Sequence, residues 1–357
     1  MNPLHPLRTW LSRVRLARLL GVFVLLTAVT TVPAAVASFS DSASLPSTTI
    51  ATNQLAAPTG ATVSQTCAPP PPVVFRGATS NSGTDAVYLV VPTGVQAGDV
   101  LLAQVSNRNG AFGGLTAPSG WTLLGRSTSG AAVTEAVYWK TAGAAEPLYY
   151  GFSLVGSSGV QMAGGMVAYG GVDQTAPVNA FSTATGASST ASTPSVTTTV
   201  ANTVLVYTFT KRQEDLPAPA GTAQRWQIMS GNGNGTATEG STGADESFVG
   251  PGSTPVRTTS TGFTSEWVTH TIALRPVPGT PSVTGQWTAS PSTWATGYLL
   301  ERVVNGAVQA SGTVTPVSVT SATDGPLVNG VTYTYRISAY FRSWTSTPAT
   351  AVLTTNC

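Results

Sequence analysis

The sequence predicts an all-β chain of antiparallel sandwiches, on three observations. Only 8% of the 357 residues are charged, while Gly and Pro are plentiful. Few charges with many short apolar runs suit exported all-β modules better than helical cytosolic enzymes. The apolar runs are divided by Gly, Pro, Ser or Asn clusters, and no stretch sustains a helical period with caps. Near the C-terminus, Gly330 to Ala339 reads GVTYTYRISA, in which Tyr333, Tyr335, Ile337 and Ala339 alternate with Thr334, Arg336 and Ser338. That period of two marks a half-buried strand. A hydrophobic content of 41% is enough to bury a core and argues against disorder.

The chain begins with a basic stretch free of acidic residues, Met1 to Arg18, followed by apolar Leu19 to Val32 and Pro33-Ala34-Ala35-Val36-Ala37. This is the pattern of a secretory signal peptide over residues 1–37, with cleavage after Ala37. The alternative is a retained membrane helix, for which the apolar core is short against the roughly 20 residues a bilayer needs. Residues 38–56 read as a linker. Within them Phe39-Ser40-Asp41-Ser42-Ala43 resembles the start of exported bacterial proteins of the camelysin and biofilm-fibre type, which implies export and no more.

The formal charge of +2 is carried by the leader, where Arg8, Arg13, Arg15 and Arg18 supply four of the 16 basic residues. Without it 12 basic residues face 13 or 14 acidic ones, depending on Asp41. No basic stripe remains for nucleic acid, and membrane contact is expected only through an uncleaved leader. The two cysteines, Cys67 and Cys357, suggest one disulfide in an exported chain, with two free thiols as the alternative.

From Pro281 the strands follow in order: Ser282 to Thr288, Tyr298 to Val304, Ala307 to Val314, Val317 to Ser321, Gly330 to Tyr340 and Ala349 to Thr354. Asn305-Gly306 between the second and third is a strong hairpin signal, because both turn residues need positive φ. Trp287, Tyr298 and Leu327-x-x-Gly330-x-x-Tyr333 carry a resemblance to a fibronectin type III domain over residues 281–357. They match the family's second-strand Trp, third-strand aromatic and tyrosine corner. The family's opening Pro-x-x-apolar strand is missing there, and Ala57-Pro58-Thr59-Gly60-Ala61-Thr62-Val63 looks like it. The resemblance therefore implies a fibronectin type III (Ig-like) sandwich interrupted after its first strand, residues 57–67. In that sandwich the ends of the first and last strands share a pole, which would bring Cys67 and Cys357 within bonding reach. A bridge over so long a loop would stabilise by about 4 to 5 kcal/mol on chain entropy.

Proline runs at Ala68–Pro72 and Arg275–Pro281 flank an insert, residues 73–276. Its short punctuated strands predict a larger jelly-roll-like antiparallel β-sandwich. Gly94 to Leu102, Pro118 to Trp121, Ala168 to Asp173 and Trp267 to Pro276 resemble a β-sandwich module of exported actinobacterial proteins, a likeness that implies fold and export without a defined activity.

Chemistry is sparse. After the leader one histidine remains, His270, in an alternating strand, where a structural role is the simpler reading. Glu214-Asp215 and Asp245-Glu246, each read as loop pairs, would serve glycoside hydrolysis only if the two loops met. Asp99, Asp173 and the Glu214 loop lack the spacing of a calcium motif, zinc lacks ligands, and no cofactor is expected. Trp294 and Trp344 fall in loops at one pole of the type III sandwich, opposite the insert. They either stack on a ligand or cap the core edge against each other, Pro291 and Pro348. The sequence points first to a secreted or cell-surface, non-catalytic binding or adhesion protein with an extracellular glycan or protein as partner. A secreted polysaccharide-active glycoside hydrolase and a structural envelope component are the alternatives.

Overall fold

The computed structural model describes residues 53–108, 114–231 and 238–357; the leader and the linker before Asn53 lie outside them. Strand β1 (Thr59–Ala68) comes first. A first block follows with β2 (Val74–Thr84), β3 (Ala86–Val90), β4 (Val100–Arg108), β5 (Leu115–Thr116), β6 (Thr122–Ser129), β7 (Val133–Thr141), β8 (Tyr149–Leu154) and β9 (Gln161–Gly170). A second block holds β10 (Val178–Ser192), β11 (Thr197–Thr198), β12 (Thr203–Arg212), β13 (Ala223–Met229), β14 (Glu239–Phe248), β15 (Gly252–Ser253) and β16 (Thr258–Leu274). Last come β17 (Thr280–Thr288), β18 (Gly297–Val304), β19 (Ala307–Val314), β20 (Ser321–Asp324), β21 (Thr332–Phe341), β22 (Trp344–Thr345) and β23 (Ala349–Thr354).

The outermost strands in sequence make one sandwich. β1-β17-β20 form one sheet, and β19-β18-β21 with β23 form the other, extended by β22. This is the fibronectin type III arrangement, split after its first strand. β1 runs antiparallel to β17 from Thr59↔Thr288 to Ala68↔Thr280. Trp287 packs edge-on against Tyr298 at 5.2 Å, and the backbone N–H of Val328 donates to the Tyr333 hydroxyl at 3.1 Å, closing the corner. Asn305 and Gly306 take φ of 50° and 82°, as the tight β18–β19 hairpin requires. Cys67 and Cys357 are disulfide-bonded across a sequence separation of 290.

The intervening region, undivided in the sequence reading, is two sandwiches built to one plan. In the first block the order is β2-β9-β4-β7-β6, covered by β3-β8-β5. Counted within the block this is 1-8-3-6-5 over 2-7-4, a jelly-roll order with its fifth strand carried on the larger sheet. The second block gives β10-β16-β12-β14-β13 covered by β11-β15, the same order with position 4 taken by the segment carrying buried Leu216. Even the irregularities recur. Bulges at Phe75/Gly77 and Val178/Ala180 occupy equivalent places, as do those at Leu123/Gly125 and Gln224/Trp226.

The two five-stranded sheets pack face to face through Val100, Leu102, Val137 and Val167 on one side and Val204, Val206, Ile272 and Leu274 on the other. Each also buries its outer face, the first on Leu101, Tyr138 and Phe152, the second on Leu205, Phe209 and Trp267. Strands β4 and β12 are consequently buried on both sides, and burial along them shows no alternation. The plan is broken at one matched pair of positions. Trp226 lies on Gly165 and Gly243, where a Cβ would fall inside its ring. The equivalent of Trp226 is Gly125, and Phe181 from β10 fills that space and stacks on His270.

Replacing both Cys67 and Cys357 by Ser is expected to destabilise the split sandwich by roughly 2–5 kcal/mol. Urea unfolding followed by Trp fluorescence measures this, and an unchanged midpoint would show that the bridge contributes nothing.

Candidate functional site

The four acidic residues do not assemble. Asp245 and Glu246 lie within β14, not in a loop as the sequence suggested. The small residues around them, Gly243 and Ala244, permit close strand packing and do not signal a turn. As strand neighbours they point to opposite faces. Asp245 turns inward, accepting from Tyr169 at 2.5 Å and Arg225 at 2.8 Å. Glu246 turns outward to Tyr207 at 2.6 Å and Arg257 at 2.9 Å. Glu214 and Asp215 do sit in a loop, where they cross β14 at Gly240. Glu246 is six residues further along that strand, about 20 Å at the usual rise, beyond the spacing that acid–base pairs need. Glu214 is held by fully buried Lys211 at 3.1 Å, and Asp215 accepts from Gln227 at 2.9 Å.

His270 is buried at the interface of the two jelly rolls. Its Nδ1 is 2.9 Å from Glu135 Oε1, which also accepts from Thr208, and Phe181 covers the ring at 5.3 Å. Facing sheets enclose both members of the pair, so the imidazole has no approach for substrate. A second buried carboxyl, Glu239, has its pKa raised to about 8 by burial, against a lesser opposing pull from Ser230 and Arg108. Asp99 is committed to Gln96 and Arg76, and Asp173 to Thr175 and Ala176. Among the described residues no three His, Cys, Asp or Glu gather to hold a metal.

Of the two tryptophans expected in loops, Trp344 falls in the short strand β22, and the two have different surroundings. Trp294 is half-buried and packs edge-on against Phe341 at 5.3 Å. Trp344 pairs across the hairpin with Phe341 and is 61% exposed.

A second aromatic surface lies on the outer face of β3-β8-β5, and it was missed in the sequence. Tyr88 and Tyr149 are 53% and 51% exposed, with Val90 and Leu148 beside them. Tyr88 stands opposite Gly151 and Val90 opposite Tyr149. A Cβ on Gly151 would come within 2.8 Å of the Tyr88 ring, so the glycine lets that ring lie against the sheet. Tyr149 meets it edge-on at 5.5 Å and 88°. Thr116 and Ser153 add hydroxyls, bonded to each other at 3.0 Å, and neither β3 nor β8 contains a charged residue. The outward aromatics of β3 and β8 have the same period as core ones. Only the inward partners Val87, Leu89, Tyr150 and Phe152 reveal which set faces solvent.

No family model and no curated protein matches the chain. Among solved structures, the FN1–FN3 domains of chicken CNTN1 are 12% identical, with a TM-score of 0.20 over 81% of this chain and 100% of that one. A run of domains from titin is 12% identical, with a TM-score of 0.18 over 79% and 100%. The type III character of the split sandwich rests on its own strand order and corner. Among the described residues no helix is long and apolar enough to cross a membrane.

Two outcomes are expected. Glu135→Ala leaves Nδ1 of His270 and the Thr208 hydroxyl without their buried partner and should cost roughly 1–3 kcal/mol in urea unfolding. Glu239 ionises near its ordinary 4.5 when unfolded but near 8 when folded. Stability is therefore full below the lower value and declines as pH rises toward the upper. Glu239→Gln should flatten that decline, and an identical slope in parent and variant would assign it to another group.

Proposed function

We propose that this is an exported, non-catalytic adhesion protein that binds neutral glycans through the Tyr88–Tyr149 face. The observation that carries this reading is a charge-free sheet face with two half-exposed aromatic rings, one laid against the strands over Gly151. Sugar rings offer an apolar face of C–H groups to an aromatic plane and hydroxyls to its rim, and Thr116 and Ser153 supply hydroxyl partners there. Contiguous exposed apolar groups of this kind mark interaction surfaces. The secretory pattern of residues 1–37, the likeness of Phe39–Ala43 to camelysin-type proteins and that of the insert to exported actinobacterial modules support export. The disulfide is compatible with an oxidising compartment. Trp344 is a second exposed aromatic, at the pole of the split sandwich, and serves as the comparison site.

The test is binding of the chain from Ser38 onward to a glycan array and to insoluble polysaccharides. Tyr88→Ala and Tyr149→Ala are each expected to weaken binding about tenfold, equivalent to loss of one stacking contact of roughly 1.4 kcal/mol, with unfolding midpoints unchanged. Trp344→Ala should leave binding intact. Binding lost only with Trp344→Ala would move the site to the other pole. Absence of glycan binding alongside capture of a protein by the same face would replace the sugar with a protein partner.

A further inference from the structure

One sheet edge of the split sandwich is left undefended. An edge strand presents free N–H and C=O groups to any other strand, and proteins blunt such edges with charge, proline, shortness or cover. Most edges of this chain carry such a device. β20 is four residues long. β2, β6 and β13 carry Arg76, Arg126 and Arg225. On β3 the carbonyl of Tyr88 accepts from Asn81 at 2.9 Å, and that of Val90 accepts from Thr79. On β10 the Gly186 carbonyl accepts from Ser129 at 2.8 Å. On β1, Gln65 exchanges hydrogen bonds of 2.8 and 2.9 Å with the backbone of Asn356.

β19 has none of these. It runs eight residues, pairs on one side only, with β18, and contains neither a charged residue nor a proline. Six of its eight residues are exposed, and among the described residues no side chain caps its free edge. Its one irregularity falls at the hairpin end, opposite Arg302 and Val303, and leaves Ala310–Val314 in regular register. A Cβ on Gly312 would meet nothing within 4 Å, so no neighbour crowds this stretch. The flank beside the strand is unsealed as well. A slot of about 230 Å³ lies between β19 and β20 and is lined by Val283, Trp287 and Ile337 of the core.

We propose that β19 is a self-association edge, on which a second copy of this chain lays its own β19 antiparallel. Three requirements select that occupant. The incoming strand must be uncharged, must have an unpaired edge of its own, and must bring cover to an apolar flank. A second β19 meets all three. Two-fold pairing also closes both edges at once, whereas a foreign peptide would leave its far edge open. The sheet β19-β18-β21-β23 then continues into its counterpart, and full overlap puts Ser311 within a residue of the two-fold axis. One ladder of this length lies at the small end of specific interfaces, below roughly 1,200 Å². The dimer is therefore reversible, with a Kd of about 10–100 μM. This edge is separate from the Tyr88–Tyr149 face and does not depend on it.

Sedimentation velocity of the chain from Ser38 onward, from about 1 to 300 μM, tests the pairing. The parent should pass from monomer to dimer over this range. Ser311→Lys and, separately, Ser311→Glu place like charges across the axis and should each weaken self-association about tenfold or more. Ser311 is exposed, so both variants should keep the parent's unfolding midpoint. Mixing the two variants should restore a dimer of mixed composition, at least as tight as the parent's. Tyr88→Ala should leave dimerisation unchanged. A parent still monomeric at the highest concentration would overturn the proposal. So would a dimer indifferent to both charges, a mixture that fails to associate, or a dimer lost with Tyr88→Ala.

Discussion

The architecture depends on one antiparallel pairing, β1 with β17. Its ladder joins residues more than two hundred positions apart, and without it the type III sandwich lacks a strand on one sheet. Closing so long a loop is entropically unfavourable, although the cost grows slowly with length. Val63 and Val283, side by side in one cluster, supply apolar contact where the two segments meet. The disulfide fixes the same pole covalently. Proline-rich segments leave and return there, so the insert enters and exits beside a single point of the small sandwich.

Within the insert the dominant constraint is that two five-stranded sheets must be covered on both faces. Apolar side chains meet most of this demand, and several buried polar groups are partnered across the interface. Gln104 donates to Thr210 at 2.8 Å and accepts from Ser241, and Glu135 meets His270. These contacts join one jelly roll to the other, so they fix the register of two faces that aliphatic packing alone would leave free to slide. The same polarity accounts for how the acidic residues and His270 are placed among the described residues. Residues that resemble catalytic candidates by type are used to hold sheets together.

How much of this was legible varied with the physics of each segment. Most type III strands were legible because half-buried strands alternate, and Tyr333, Trp287 and Asn305-Gly306 mark fixed points; the strand expected at Val317 to Ser321 forms instead at Ser321–Asp324. The missing first strand followed from counting. The doubling of the insert was not legible, because β4 and β12, buried on both faces, lose the alternation that distinguishes one face from the other. β10 was overlooked entirely. Val178–Ser192 is mostly Ala, Gly, Ser and Thr, residues that read as linker and here allow close approach to β16. The pair Asp245-Glu246 was misplaced for a similar reason, since Gly243 and Ala244 suggested a turn. The aromatic face at Tyr88 and Tyr149 needed coordinates, because which side of a strand is solvated depends on what covers the other.

The covalent route through the molecule has a mechanical consequence. Tension applied between a point before Thr59 and Cys357 travels along β1 as far as Cys67 and crosses the sulfur bridge. The whole insert, with its aromatic face, sits outside that path. A tethered molecule could be pulled hard at both ends while its outer sandwiches stayed slack and kept their shape.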